Sequence, residues 1–374
     1  IGVINIIIII KMKSKIILFM PHIDIGGVEK NFFLISNFLA KNRNNVVVIT
    51  ISQKNKKFFL KNIKFISFKS NLMEKISKRS KYILSLFLLT KEILINKNSL
   101  VVSFQANVYC GLLSKLLGFK LIIRSNTSPD GWSKNIIKKF FYKMSLKAAN
   151  KVIVNSNDFK KKIKKIFNVN AECIYNPLNK KEIINLSKKS VNFNFFNKKY
   201  LNVINVGRLE DQKDQMTLLK SINFLKKKMK IKLLIIGDGS MEKKLKYYIY
   251  KNNLYKNVKI LHNISNPFPY FTKSDLFILS SIFEGLPNVL LEALTLKKFV
   301  ISTNCSTGPS EILSKGKGGI LVPINNYKNL ANKIIFFNKN KKNLKRKLLF
   351  ARKNLHRFDL NQNLRKFSKI INEI

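Results

Sequence analysis

Ile16-Ile17-Leu18-Phe19-Met20, a Gly26-Gly27 turn, an amphipathic run from Val28 to Lys41, and Val46-Val47-Val48-Ile49-Thr50-Ile51 form the stretch that decides the fold. A short apolar strand, a glycine turn, a helix with one apolar face and a second apolar strand make a βαβ unit. Such units build parallel sheets covered by helices on both faces. The same alternation continues through expected strands at Leu100–Phe104, Lys120–Arg124 and Lys151–Asn155. Between them, Glu74–Asn96 reads as one long helix whose apolar residues, among them Tyr82, Leu84, Phe87, Leu88 and Ile93, are expected to face the core; contact with a membrane surface is the rival reading.

Around Asn176-Pro177-Leu178 the pattern breaks, and a polar, lysine-rich stretch runs to Lys199. Strands are expected again at Leu201–Val206, Lys232–Ile236, Val258–Leu261, Leu276–Ser280 and Phe299–Ser302, each followed by a loop and a helix. A chain of 374 residues is too long for one ordinary domain. The expected fold class is therefore α/β, with two Rossmann-like doubly wound domains facing a central cleft. Residues 1–190 form the first domain, 191–355 the second, and 356–374 a C-terminal helix returning to the first. Residues 1–11 lack an initiator Met and precede Met12, so they read as a start-site artefact, the alternative being a short membrane-touching tail.

The chain carries 71 Lys plus Arg against 19 Asp plus Glu, a formal charge of +52, which raises the question of nucleic acid. The lysines are spread over every expected helix among Asn and Ile, without a zinc-finger spacing, an aromatic ribonucleoprotein signature or a leucine zipper. No nucleic acid is therefore expected as partner, whereas an anionic membrane surface or a phosphorylated substrate is. Cys110, Cys173 and Cys305 lie far apart and are odd in number, which speaks for a reducing cytoplasm rather than a disulfide framework.

Phe283-Glu284-Gly285-Leu286-Pro287-Asn288-Val289-Leu290-Leu291-Glu292-Ala293 follows a strand and leads into a helix, with Pro287 expected at the first helical position. The amides of Gly285 and Leu286 then lie at a helix N-terminus, a place suited to a diphosphate. Two glutamates around such an end suit the hydroxyls of a sugar and a ribose. A plain turn followed by a solvated glutamate is the bland alternative. Upstream, the strand Leu201–Val206 runs into Gly207-Arg208-Leu209-Glu210-Asp211-Gln212-Lys213-Asp214, which offers an arginine fork and a lysine point charge. No Asp-x-Asp pair accompanies them, and His22, His262 and His356 are scattered, so no metal and no cofactor are expected.

Two glutamates separated by seven residues in the context Glu-Gly-Leu-Pro, with Arg and Lys at the upstream spacing, resemble family-4 glycosyltransferases. The resemblance implies a GT-B fold and a retaining, metal-independent transfer of a sugar from a nucleotide-diphosphate sugar. It implies that Arg208 and Lys213 stabilise the leaving diphosphate, that Glu284 orients the sugar, and that Glu292 holds the ribose. Gly27, Gly207, Gly237, Gly285, Leu286 and Pro287 complete the implied donor site, with a UDP-sugar preferred to a GDP-sugar. The loop His262–Pro269 stands where the family contacts the base. Asp238 is expected to cap the helix after Gly237, and Glu311, behind Gly308-Pro309 where the family has a glycine pair, is as well suited to helix capping as to ligand contact. On the acceptor side Gln105, Arg124 and Asn126 are the candidates, near Asp130 and Trp132, and no general base is assigned.

The setting implied is a basic enzyme, cytoplasmic and peripheral on the inner membrane face, that builds surface polysaccharide or lipopolysaccharide on a glycan or lipid-linked acceptor. The competing readings are a same-fold epimerase or phosphorylase, and a non-enzymatic basic protein that binds nucleic acid or anionic membrane.

Overall fold

Residues 15–23, 26–43, 45–126 and 135–374 are described in the structure, a computed structural model. The expectations for residues 1–11, Asp130 and Trp132 lie outside them. The first sheet is built from β1 (Ile16–Phe19), β2 (Val46–Ile49), β3 (Lys64–Ile66), β4 (Leu100–Ser103), β5 (Lys120–Ser125), β6 (Lys151–Val154) and β7 (Glu172–Cys173), in the order β3-β2-β1-β4-β5-β6-β7. Its helices are α1 (Gly27–Asn42), α2 (Lys78–Ile95), α3 (Asn107–Leu117) and α4 (Ile136–Ala148), followed by α5 (Asn157–Phe167) and α6 (Lys180–Ser187). The paired strands β1–β2, β1–β4, β2–β3 and β4–β5 run parallel.

The second sheet holds β8 (Leu201–Val206), β9 (Ile231–Ile236), β10 (Val258–Leu261), β11 (Leu276–Leu279), β12 (Phe299–Thr303) and β13 (Ile320–Val322), in the order β10-β9-β8-β11-β12-β13. Around it lie α7 (Gln215–Leu225), α8 (Glu242–Lys251), α9 (Phe268–Thr272), α10 (Asn288–Thr295), α11 (Pro309–Ile312), α12 (Tyr327–Lys339) and α13 (Lys341–Lys353), and α14 (Leu360–Asn372) follows. Side chains alternate across a strand, so neighbouring residues enter different cores. Val203, Leu233, Leu276 and Ile301 pack with Leu218 and Ile222 of α7 on one face. Ile204, Leu234, Phe277 and Val300 pack with Leu290 and Leu294 of α10 on the other. Because both faces are buried, the strands read as continuous apolar runs rather than alternating ones.

The chain divides into two compact units. The first holds the described residues to Ser125, together with Ile137–Ile153 and Ile370–Ile374; the second holds the described residues of Asn126–Ile136 and of Val154–Lys369. The polar stretch near residue 190, read from the sequence as the boundary, lies inside the second unit. The segment before it is tied there by Leu178 N donating to Phe358 O at 2.9 Å and by Asn176 Nδ2 donating to Leu286 O at 3.1 Å. At the other terminus, Lys151 Nζ pairs with Glu373 Oε2 at 3.4 Å within the first unit.

The long helix expected over Glu74–Asn96 is shorter, Lys78–Ile95, after a 3-10 turn at Asn71–Glu74. Its expected core-facing character needs correction as well. Leu89 and Ile93 are buried, but Ile83, Phe87, Leu94 and Ile95 are exposed, because the helix is apolar on more than the one face that the sheet covers.

Candidate functional site

In the second sheet the strand order reverses at β8, so the loops leaving β8 and its neighbour β11 stand on either side of the switch point, where open α/β sheets bind ligands. The loop after β8 carries Gly207, Arg208 and Lys213; the loop after β11 carries Glu284, Gly285, Leu286 and Pro287. The structure brings them together. Ile282 N donates to Gln212 O at 2.8 Å, Gln212 Nε2 to Phe283 O at 2.9 Å, and Ser280 Oγ to Lys213 O at 2.8 Å. Across this seam Lys213 Nζ meets Glu284 Oε1 at 2.5 Å, with the lysine side chain 16% and the glutamate side chain 8% exposed. Ser281 Oγ donates to the same oxygen at 2.6 Å. Arg208 is exposed beside them, its Nη2 3.4 Å from Gln212 Oε1.

The turn itself is held from several sides. Thr307 Oγ1 donates to Glu284 O, and Asn176 Nδ2 donates to Leu286 O and, at 2.7 Å, to Asn288 Oδ1. At Gly285 a Cβ would lie 2.1 Å from Asn126 O, so only glycine admits the approach of that backbone. Asn126 thereby lies against the Glu284-Gly285 turn, and the buried Asn155 Nδ2 donates to the same Asn126 O at 3.3 Å. Pro287 is corrected from its expected place: the helix α10 begins at Asn288, and Pro287, at φ −71° and ψ 106°, is the extended residue before it. Anchoring Leu286 O on Asn176 keeps the chain extended there, and Pro287 O still accepts from Leu290 N at 3.1 Å. Glu292 lies on α10 and is buried.

Gly237 follows β9, whose register with β8 ends Val206 beside Ile236. A Cβ there would lie 2.0 Å from Gly207 O, so the two strand ends need glycine to meet. The capping role expected of Asp238 is not found. The helix α8 starts at Glu242 after Met241, and the Asp238 carboxylate accepts from Asn263 N at 3.1 and 3.3 Å. That bond joins the Gly237 turn to the start of the His262–Pro269 loop, where His262 Nδ1 lies 3.2 Å from Gly237 O.

Glu311 caps a helix, but not its own. Its carboxylate accepts from Asn157 N and Asp158 N, each at 3.0 Å, at the first turn of α5, and from Tyr175 Oη at 2.6 Å. Burial pushes the Asp158 carboxyl and the Tyr175 phenol above their ordinary values, and the Glu311 charge adds to both. Cys305 Sγ lies 3.1 Å from Ser281 O, and its thiol is pushed up to about 12, chiefly by burial.

In the first unit, Gly27 opens α1 after β1, and Gln105 follows β4; β1 and β4 flank the switch point of the first sheet. Ser103 Oγ donates to Gln105 O at 2.7 Å. Arg124, at the end of β5, is fully buried. Ser281, Thr307, Gln212 and Asn176 were not singled out from the sequence. Polar side chains that bond to loop carbonyls or to a carboxylate follow no spacing rule, and only the fold shows which oxygen each one meets. Among the described residues no group of three His, Cys, Asp or Glu is arranged to hold a metal ion, and no helix is long and apolar enough to cross a membrane.

Two family models match the chain: Glycosyltransferase Family 4 over residues 25–182 and Glycosyl transferases group 1 over residues 187–353. An uncharacterized glycosyltransferase of Methanocaldococcus jannaschii is 36% identical over 231 residues, which cover 60% of this chain and 50% of that protein. The chain thus spans half the length of that relative. A GalNAc-α-(1→4)-GalNAc-α-(1→3)-diNAcBac-PP-undecaprenol α-1,4-N-acetyl-D-galactosaminyltransferase of Campylobacter jejuni is 25% identical over 332 residues, 86% of this chain and 88% of that one. Among solved structures, Anabaena HepE in complex with UDP-glucose superposes with a TM-score of 0.76 at 18% identity, covering 96% of this chain and 100% of that one. At that identity the likeness speaks for the fold alone, two Rossmann-like domains of the GT-B type.

Proposed function

Because the chain belongs to glycosyltransferase family 4, we propose that it moves a sugar from a nucleotide-diphosphate sugar to a glycan or lipid-linked acceptor, with retention of configuration and without a metal. The observation that carries the reading is the meeting of Lys213 and Glu284 at 2.5 Å beside the Gly285-Leu286-Pro287 turn. A fixed cation, a carboxylate and a braced turn lie together at the switch point of the second sheet. In the reaction the bond from the sugar C1 to the diphosphate oxygen breaks, and its electron pair leaves with the diphosphate. Arg208 and Lys213 are the cations that meet this charge, in a loop already ordered before the reaction. An acceptor hydroxyl bonds to C1 from the same face, and its proton passes to the departing diphosphate oxygen.

Lys213 and Ser281 both bond to Oε1 of Glu284, so Oε2 keeps its lone pairs for a sugar hydroxyl. Glu292 holds the ribose, and the loop from His262 to Pro269 borders the base. Gln105, Arg124 and Asn126 are assigned to the acceptor side. A UDP-sugar is the donor, a choice supported by the UDP-glucose complex of HepE. A lipid-linked saccharide is the acceptor, supported by the diphospho-undecaprenol substrate in the name of the Campylobacter relative, and the setting is surface polysaccharide or lipopolysaccharide synthesis on the cytoplasmic membrane face.

The test is a thermal-shift series with UDP-, GDP- and ADP-sugars. A ligand that binds the folded state raises its stability by RT ln(1 + [L]/Kd), about 2.7 kcal/mol at a hundredfold excess over Kd. UDP-sugars are expected to raise Tm in the wild type and not in Arg208→Ala. No response to any nucleotide sugar overturns the reading. Anomeric NMR of a product then decides retention, and activity unchanged by a chelator decides metal independence.

A further inference from the structure

The helices α2, α3 and α4 connect β3 to β4, β4 to β5 and β5 to β6. Right-handed crossovers between parallel strands, with the order reversing at β1, place all three on one side of the first sheet. They adjoin one another: the Tyr82 ring of α2 lies 6.4 Å from that of Tyr109 on α3, and a Cβ at Gly111 of α3 would lie 2.5 Å from Ser145 Cα of α4. This layer shows solvent an unusual surface for a soluble domain. Phe87 is 63% exposed, Leu116 79%, Ile137 66% and Phe140 58%, and Ile83 of α2 and Tyr109 of α3 are exposed as well. Exposed apolar groups in this number on one helical layer mark a surface that is covered in use.

The charges around them are of one sign. α2 carries four Lys or Arg, α3 one and α4 four, nine in all, and the three helices hold a single carboxylate, Glu92. Glu92 is buried and engaged by Lys15 and, at 3.6 Å, by Lys64, so it adds no negative charge to the outer surface. Lys78, Arg79, Lys91, Lys115, Lys139 and Lys147 are exposed. Aromatic and aliphatic side chains set among lysines, with no exposed acid, complement an interface that is apolar at depth and anionic at its surface.

We infer that the outer face of α2, α3 and α4 docks the enzyme on an anionic lipid bilayer. Phe87, Leu116, Ile137 and Phe140 enter the headgroup region, and the lysines meet lipid phosphates. This deepens the reading of a lipid-linked acceptor and rests on it for its purpose: a shallowly seated protein keeps an acceptor that never leaves the membrane within reach.

The experiment is co-sedimentation of the full chain with vesicles of phosphatidylcholine, with and without about one-third phosphatidylglycerol, a content that gives the surface a negative potential. Phe87→Ser/Phe140→Ser and Lys91→Glu/Lys139→Glu are compared with the wild type, and the UDP-sugar thermal shift of each is recorded. Binding is expected only with the anionic vesicles, and each variant is expected to lower the partition coefficient about tenfold with its thermal shift unchanged. Equal binding of wild type to neutral and anionic vesicles, no binding to either, or variants that bind like wild type overturns the inference. So does a wild-type dimer that the same substitutions dissolve, since a second copy would then be the occupant. A missing thermal shift alongside intact vesicle binding refutes the donor-site reading and leaves the docking face standing.

Discussion

Replacing Lys213 with Met separates what the Lys213–Glu284 pair does for the fold from what it does for chemistry. At 2.5 Å and an effective dielectric of about 20, the attraction between the two charges is about 7 kcal/mol. Desolvation of two side chains that are 16% and 8% exposed costs several kcal/mol per ion, so the pair as a whole contributes little. Removing one member is different, because it leaves the other charged and buried. With the Ser281 hydroxyl still bonded to Glu284, Lys213→Met is expected to destabilise the unliganded protein by about 3 kcal/mol, at the lower end of the range for broken buried pairs. Glu284→Gln is expected to cost a similar amount. The double variant is expected to recover about 2 kcal/mol of the summed loss. Urea unfolding followed by fluorescence measures this as a midpoint lowered by about 1 M in each single variant, with the double variant above the additive value. Activity is expected not to recover with stability, since the diphosphate loses its lysine in both, at a cost of about 10²–10³ in kcat. Single-variant losses that add within about 0.5 kcal/mol would refute the reasoning, because they mean that the two side chains do not feel each other.

Glu311→Ala removes the acceptor of two backbone amides of α5 and of the Tyr175 hydroxyl, and is expected to cost about 2 kcal/mol in urea unfolding, while Glu311→Gln retains part of it. Asp158 has a folded pKa raised by burial and by Glu311, so its charged form is disfavoured in the native state. Stability is then lost as pH rises from its unfolded value through its folded one, and Asp158→Asn is expected to raise Tm at pH 7 but not at pH 3, where the group is neutral in both states. A gain of the same size at both pH values would point to packing instead. Of the three thiols, Cys110 and Cys305 are buried and pushed up to about 12, so Ellman's reagent at pH 8 is expected to titrate one thiol natively, Cys173, and three after denaturation. Gly285→Ala sets a methyl against Asn126 O and is expected to abolish the UDP-sugar thermal shift in a folded protein, which far-UV circular dichroism checks.

The apolar periodicity of the chain carried the two doubly wound sheets, and strands such as Leu201–Val206 and Val258–Leu261 end where their apolar runs end. In central strands such as Leu276–Leu279, burial on both faces keeps the run wholly apolar. The edge strands Lys64–Ile66, Glu172–Cys173 and Ile320–Val322 were not legible, since two or three residues form too short a run to stand out. The motif residues Arg208, Lys213, Glu284 and Glu292 could be named because the Glu-Gly-Leu-Pro context and the upstream Arg and Lys resemble family-4 glycosyltransferases, and because charged groups beside a strand end and a glycine turn suit a diphosphate. What tertiary structure decided is who holds them: Ser281 and Lys213 on one oxygen of Glu284, Asn176 on the turn from 110 residues away, and Asn126 against Gly285. It also turned Glu311 into the cap of a distant helix and Asp238 into the partner of Asn263. Hydrophobic patterning acts locally and repeats along the chain, so the sequence displays it. A hydrogen bond between distant residues depends on where two separate segments end in space, and that is set only when the sheets close.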